Sequence, residues 1–141
     1  MLLRPYVKDD YATICSWYEA HWEHGIPQSI LPPIGYIVTD SGVAIAVGFL
    51  LTSDCPVSML EYVAVNPSLG GTSRVRACKM IFDAAKKDSI ALNGKTAVIY
   101  SISGNESYHR LIQSAGFKVG EKNVTSFVWT PVDADIDIFT E

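Results

Sequence analysis

The sequence predicts an α/β (α+β) fold, a mixed sheet with helices on its faces. Two observations point there. Short apolar runs alternate with segments of helical period in the order β-α-β-β-β-α-β-α-β-β. The chain is 141 residues long, with 48% hydrophobic and 18% charged residues, enough to bury one core and about the size of one domain.

Leu2 to Val7 reads as a first strand, with Pro5 suited to an edge. Asp9 or Asp10 can cap a helix that runs to about His24, with Tyr11, Ile14, Cys15, Tyr18 and Trp22 on its apolar face and Gly25 ending it. Ile26 to Pro33 carries three prolines and reads as irregular. Ile34 to Val38 is a strand, Asp40-Ser41-Gly42 a hairpin turn, and Val43 to Thr52 a longer strand, apolar enough to be buried on both faces. After a turn at Ser53 to Pro56, Met59 to Val65 forms a central strand that ends at Asn66-Pro67. A Gly and Ser/Thr loop then opens a helix that Thr72 or Ser73 can cap. Val75, Cys78, Phe82 and Ala85 form its inner face, and Asn93-Gly94 stops it.

Thr96 to Ser101 is the next strand. It leads into the most informative segment of the chain, Asn105 to Phe117. Asn105 is an N-cap, and Tyr108, Leu111, Ile112 and Ala115 share one helix face. Gly116 suits the left-handed C′ position, with Phe117 folded back onto Ile112. Lys118 to Val119 and Thr125 to Thr130 are expected to be a closing pair of strands. The domain is expected to span residues 1–130, with 131–141 an acidic tail.

The net charge of −4 argues against general nucleic-acid binding, and no run is apolar enough for a membrane helix. No nucleic-acid or membrane partner is therefore expected. Met1 to Tyr6 does not read as a signal peptide. The three cysteines, Cys15, Cys55 and Cys78, are widely spaced and suggest a reducing, cytoplasmic setting rather than a disulfide framework. Cys15 and Cys78 read as small buried hydrophobes.

Two places stand out chemically. Gly70, Gly71, Thr72 and Ser73 open a helix whose free amides attract anions, and Arg74 and Arg76 follow in its first turn and a half. Cations there oppose the helix dipole, and a bound phosphate would offset that cost; solvated basic residues are the other reading. Neither a P-loop nor a dinucleotide fingerprint is present. Glu61 lies mid-strand among apolar neighbours. Desolvation there would raise its pKa and suit it to general-base work; an ion pair with an arginine or a solvent-facing strand end is the alternative. His21 and His24 are spaced i, i+3 rather than the i, i+4 usual for two metal ligands on one helix, so no metal is expected. With Trp17 and Trp22 they suit the wall of a pocket. Tyr100, Ser101, Ser103 and Tyr108 cluster where a strand meets a helix.

Taken together, these segments resemble the GNAT superfamily of acyl-CoA-dependent N-acyltransferases from Leu2 to Trp129. Asn105, Leu111, Gly116 and Phe117 are spaced as in that family's N-x-x-A-x-x-L-Y-x-x-x-G-F segment. E-Y-V-A-V-N-P-S-L-G-G-T-S-R-V is similar to its fourth strand and pyrophosphate loop. The resemblance implies a mostly antiparallel sheet with helices on both faces. It also implies acetyl-CoA as co-substrate and an amine-bearing small molecule, protein or peptide as acceptor, in a monomer or homodimer. Val63, Ala64 and Val65 would bind the pantetheine arm through their backbone. Gly70 to Arg76 would supply amides for the pyrophosphate, and Asn105 would touch the cofactor. The amine would attack the thioester directly while Glu61, often through water, accepts its proton.

The chain departs from the pattern at Gly70, where Gln or Arg is usual, and at Ser73 and Val75, where small Gly or Ala residues are usual. Ile112 stands where the family has the Tyr that protonates the leaving thiolate, and Tyr108, one turn earlier, could substitute. The alternative implied by those departures is a catalytically decayed GNAT-fold binding, accessory or structural protein, a type that occurs among phage proteins.

Overall fold

A computed structural model describes residues 1–131. Among them five strands form one sheet: β1 (Leu2–Pro5), β2 (Ile34–Asp40), β3 (Val43–Leu51), β4 (Val57–Val65) and β5 (Val98–Tyr100). Three α-helices accompany it: α1 (Tyr11–Trp22), α2 (Gly71–Asn93) and α3 (Glu106–Ser114). The strands lie side by side in chain order. The first four pair antiparallel, and β5 is parallel to β4, which the crossover through α2 makes possible. The mixed, mostly antiparallel architecture is therefore as expected.

Helices cover both faces. On one, Ile14, Trp17 and Tyr18 of α1 pack with Ile37, Val47 and Phe49. On the other, Ala77, Cys78, Ile81, Phe82 and Ala85 of α2 pack with Val38, Ala46 and Leu50, and Ile112 of α3 joins them. Neighbouring residues of β2 and β3 thus face opposite cores, which is why β3 is buried without interruption from Ile45 to Leu50. Each large aliphatic or aromatic side chain so buried contributes about 1.5–3 kcal/mol. Polar ties add direction. The Tyr36 hydroxyl donates to Asp88 (2.6 Å), joining β2 to α2, and Arg4 makes a two-pronged ion pair with Asp10 (2.7 and 2.8 Å). No helix among the described residues is long and apolar enough to cross a membrane.

Several boundaries differ from the sequence reading, for identifiable reasons. Asp10 does not cap α1 with its side chain. A short 3-10 turn, Lys8–Asp10, precedes the helix, and the carboxylate instead accepts the Val7 amide (2.9 Å) and binds Arg4. The helix ends at Trp22, earlier than His24, because Glu23 turns left-handed (φ 64°). Trp17, not Cys15 or Trp22, takes the deepest inward place beside Ile14 and Tyr18; Cys15 is only half-buried. The helix α2 begins at Gly71 with Gly70 as N-cap, so neither Thr72 nor Ser73 caps it. The hairpin at Ser41 and Gly42 has φ of 51° and 81°, the two positive values a type I′ turn requires.

The expected closing strands are not formed. Residues 118–131 run without a strand and lie almost wholly exposed, Phe127 at 92% and Trp129 at 83%. Strand propensity stabilises only where a neighbour and a core face are on offer. Here β5 is three residues long, and both faces of the sheet already carry helices. The end of the predicted acidic tail, residues 132–141, lies outside the described residues.

The helix α3 follows its sequence signals closely. The Asn105 side chain accepts the Tyr108 amide (2.9 Å). At the other end Gly116 (φ 96°) donates to Gln113 (3.0 Å) and Phe117 to Ile112 (3.3 Å), the two bonds of a Schellman motif.

One position tests the packing of β3 against α2. A Cβ on Gly48 would stand 2.7 Å from the Cγ2 of Ile81 and 3.4 Å from that of Val63. Gly48→Ala is expected to destabilise the chain by about 1–3 kcal/mol through overpacking, read as a lower urea midpoint. An unchanged midpoint would mean that α2 and β3 pack less tightly than described.

Candidate functional site

A bulge in β4 shapes the site. Val47 pairs with Ala64 and Phe49 with Glu61, so Tyr62 and Val63 together face Gly48. Tyr62 takes up the extra length with φ 56°, a conformation bulky residues rarely adopt. The buried Tyr18 of α1 secures it, its hydroxyl donating to the Tyr62 carbonyl (2.7 Å). One turn on, His21 Nε2 bonds the Val65 carbonyl (2.9 Å). A carbonyl can only accept, so that nitrogen carries the proton.

Below the bulge, β4 and β5 pair only from Val57 to Met59. The Ser101 hydroxyl reaches across to the Leu60 carbonyl (3.0 Å), and beyond it the two chains part. The gap is a cleft of about 940 Å³ between Glu61–Val65 and Ser101–Asn105. It cuts into the sheet and touches elements from both faces. On the α2 side lie Gly71, Arg74, Val75, Cys78, Tyr108 and Leu111. On the α1 side lie His21, Trp22, His24 and Ile26, with Glu61 and Tyr62. Glu61 belongs to the α1 side because its cross-strand partner, Phe49, packs there.

Most residues singled out from the sequence meet at this cleft. Glu61, Val63, Ala64 and Val65 form one wall, Asn105 and Tyr108 contribute to the opposite one, and Gly71, Arg74 and Val75 approach from the start of α2. Gly70, Thr72, Ser73 and Arg76 belong to the same helix start but stand outside the lining. With no side chain capping it, the first amides of α2 are left for a ligand or water. The Arg74 guanidinium donates to the Pro67 carbonyl (2.8 Å), and its Nε is buried without a hydrogen-bond partner among the described residues.

The titratable groups are tuned by burial. Glu61 is half-buried. No ion pair to an arginine is found for it among the described residues, and desolvation raises its pKa. Tyr108 packs edge-on against Phe82 and shares a 2.7 Å hydrogen bond with Ser101. Burial pushes its pKa up to about 12, partly opposed by that bond, so the phenol keeps its proton at neutral pH. Burial likewise lifts the Cys78 thiol to about 11.

Ile112 is buried against α2, as its place on the apolar face of α3 predicts, and does not line the cleft; Leu111 and Tyr108 do. One place differs from the sequence reading: Trp17 is core and does not line the cleft. The sequence reading also missed Tyr62 as the bulge residue and Ile102 and Gly104 as lining. Nothing in M-L-E-Y-V-A-V marks which residue a bulge will displace.

Comparison with known proteins places this geometry. No protein-family model and no curated protein matches the chain by sequence. Solved structures do match by shape. The aminoglycoside 6'-N-acetyltransferase AAC(6')-Ig of Acinetobacter haemolyticus is 16% identical with a TM-score of 0.64, covering 93% of this chain and 99% of its own. Rv2747 of Mycobacterium tuberculosis, solved with CoA, is 13% identical with a TM-score of 0.62, covering 89% and 77%. A protein from Novosphingobium aromaticivorans assigned to the GNAT acetyltransferases is 17% identical with a TM-score of 0.56, covering 84% and 52%. The chain has the GNAT fold.

The Glu61 environment predicts a pH-dependent stability. A raised carboxyl pKa means the folded chain holds that proton more tightly than the unfolded one. The contribution therefore favours folding at low pH and is withdrawn as pH rises through the raised pKa. Glu61→Gln should melt slightly higher than wild type at neutral pH, with the difference vanishing below the ordinary carboxylate range. Thermal melts across that range would show the opposite trend if Glu61 were a stabilising ion-pair partner.

Proposed function

We propose that this GNAT-fold chain is a single-domain acyl-CoA-dependent N-acyltransferase, with acetyl-CoA as co-substrate and a primary amine as acceptor. The observation that carries the reading is the parting of β4 from β5 beside the bulge, with an uncapped helix start on one side and, on the other, a carboxylate with no ion pair among the described residues. The cleft suits a long thioester. The free amides at Gly71 and beyond, with Arg74, suit the pyrophosphate, and the backbone of Val63 to Val65, which has no strand partner on its β5 side and whose Val65 carbonyl is held by His21, suits the pantetheine amides. The α1 side is then left to the acceptor.

In this mechanism the amine nitrogen forms a bond to the thioester carbonyl carbon, the carbon–sulfur bond breaks, and an amide and a thiol result. Glu61 accepts the proton the amine loses, directly or through water; its raised pKa brings it nearer the operating range of a base. Tyr108 holds the proton that the thiolate can take, and Ser101 fixes the phenol in place. Most of the acceleration comes from holding the reactants in line and from the dipoles of β4. The buried Ile112 and the Val75 side chain at the helix start favour a second reading, a binding protein of the same fold that has lost catalysis.

Three measurements separate these readings. Calorimetric titration with acetyl-CoA should show binding; no heat at millimolar ligand leaves only a shared fold. Thiol release with a panel of amines should show turnover, and Glu61→Gln should lower kcat by about 100-fold with little change in acetyl-CoA affinity. Binding without any thiol release would establish the second reading. Arg74→Glu should weaken CoA binding by roughly tenfold, the loss of one charge-assisted contact. Unchanged affinity would remove α2 from the phosphate site.

A further inference from the structure

The two sides of the cleft differ in charge in a way that selects the acceptor. Among the described lining residues there is one carboxylate, Glu61, and one lysine or arginine, Arg74. They lie on opposite sides: Arg74 on α2, tied to Pro67, and Glu61 on the α1 side through its pairing with Phe49. The rest of the α1 side is Trp22, Ile26, Tyr62 and the two histidines. Trp22 lies flat on Tyr18 with ring centroids 5.1 Å apart, and the residue is 42% exposed. Ile26 is buried at the same wall, and His21 has one ring nitrogen committed to the Val65 carbonyl.

Each feature restricts the molecule that enters. One carboxylate neutralises one ammonium, and a second cation on the acceptor would find no carboxylate partner among the described lining residues. A carboxylate on the acceptor would sit near Glu61 with no lysine or arginine among the described residues of that side to meet it, which repulsion and desolvation both penalise. An aromatic plane and an aliphatic side chain favour an apolar body, and the face of an indole also tolerates a cation in transit. We infer that the acceptor is a monoamine with an apolar, ring-bearing body and no carboxylate, bound with its amine at Glu61 and its body against Trp22 and Ile26. This rests on the acyltransfer reading for the role of Glu61 and goes beyond it in naming the acceptor class.

Three ligands test it: phenethylamine, phenylalanine, which is the same body with a carboxylate added, and putrescine, which has a second ammonium and no ring. Each is titrated into the whole chain at saturating CoA, following tryptophan emission and heat. Phenethylamine should bind at least tenfold more tightly than either of the others and change the emission, and Trp22→Phe should remove that emission change. Equal affinity for phenylalanine, tighter binding of putrescine, or no binding of phenethylamine overturns the inference. Thiol release, measured in parallel with acetyl-CoA in place of CoA, is the separate arm. Phenethylamine that binds selectively without releasing thiol sinks the acyltransfer reading and leaves the acceptor class standing. Equal turnover of phenylalanine and phenethylamine does the reverse.

Discussion

Everything in the site depends on β4 satisfying two incompatible neighbours. Along nearly its whole length it pairs with β3, yet it keeps company with β5 for only three residues. The extra residue at Tyr62 resolves the conflict by bending β4 locally, and the strained backbone there is held by the buried hydroxyl of Tyr18. That single hydrogen bond joins the interior of one core to the strand that walls the cleft.

The two hydrophobic cores serve different purposes around this strand. The α2 core is the larger; it anchors a long helix whose first turn carries the free amides and Arg74 and whose middle meets Tyr108 through Phe82. The α1 core is smaller and built around Phe49, which stands beside both Tyr6 and Tyr62. It fixes the direction in which Glu61 points. The uncapped helix start with Arg74 and the Glu61 carboxylate are thus kept apart by the sheet itself, and they meet only where the sheet opens.

The environment of Glu61 illustrates why burial matters more than residue type here. In a regular strand of M-L-E-Y-V-A-V a carboxylate would face either solvent or a costly interior. The bulge leaves it half-buried at an opening, desolvated enough to raise its pKa but still in reach of a ligand. Tyr108 shows the complementary case, a phenol whose burial keeps it protonated and whose partner, Ser101, also spans the last point of contact between the two strand paths.

Local sequence signals determined the elements whose causes are local. The Asn105 cap and the Gly116 Schellman turn bound α3, Ser41-Gly42 makes the hairpin, and unbroken apolar residues mark β3 as doubly buried. Local pattern also singled out Glu61 as a charge in an apolar run, Arg74 as a cation in the first turn of a helix, and Tyr108 as a phenol where a strand meets a helix. Tertiary structure decided the rest. Trp17 rather than Trp22 turns inward, Gly70 rather than Thr72 caps α2, and the β-prone residues 125–130 form no strand. The physical reason is common to all three. Each outcome depends on which neighbour is present across a sheet or at a helix end, and that depends on contacts between residues far apart in the chain.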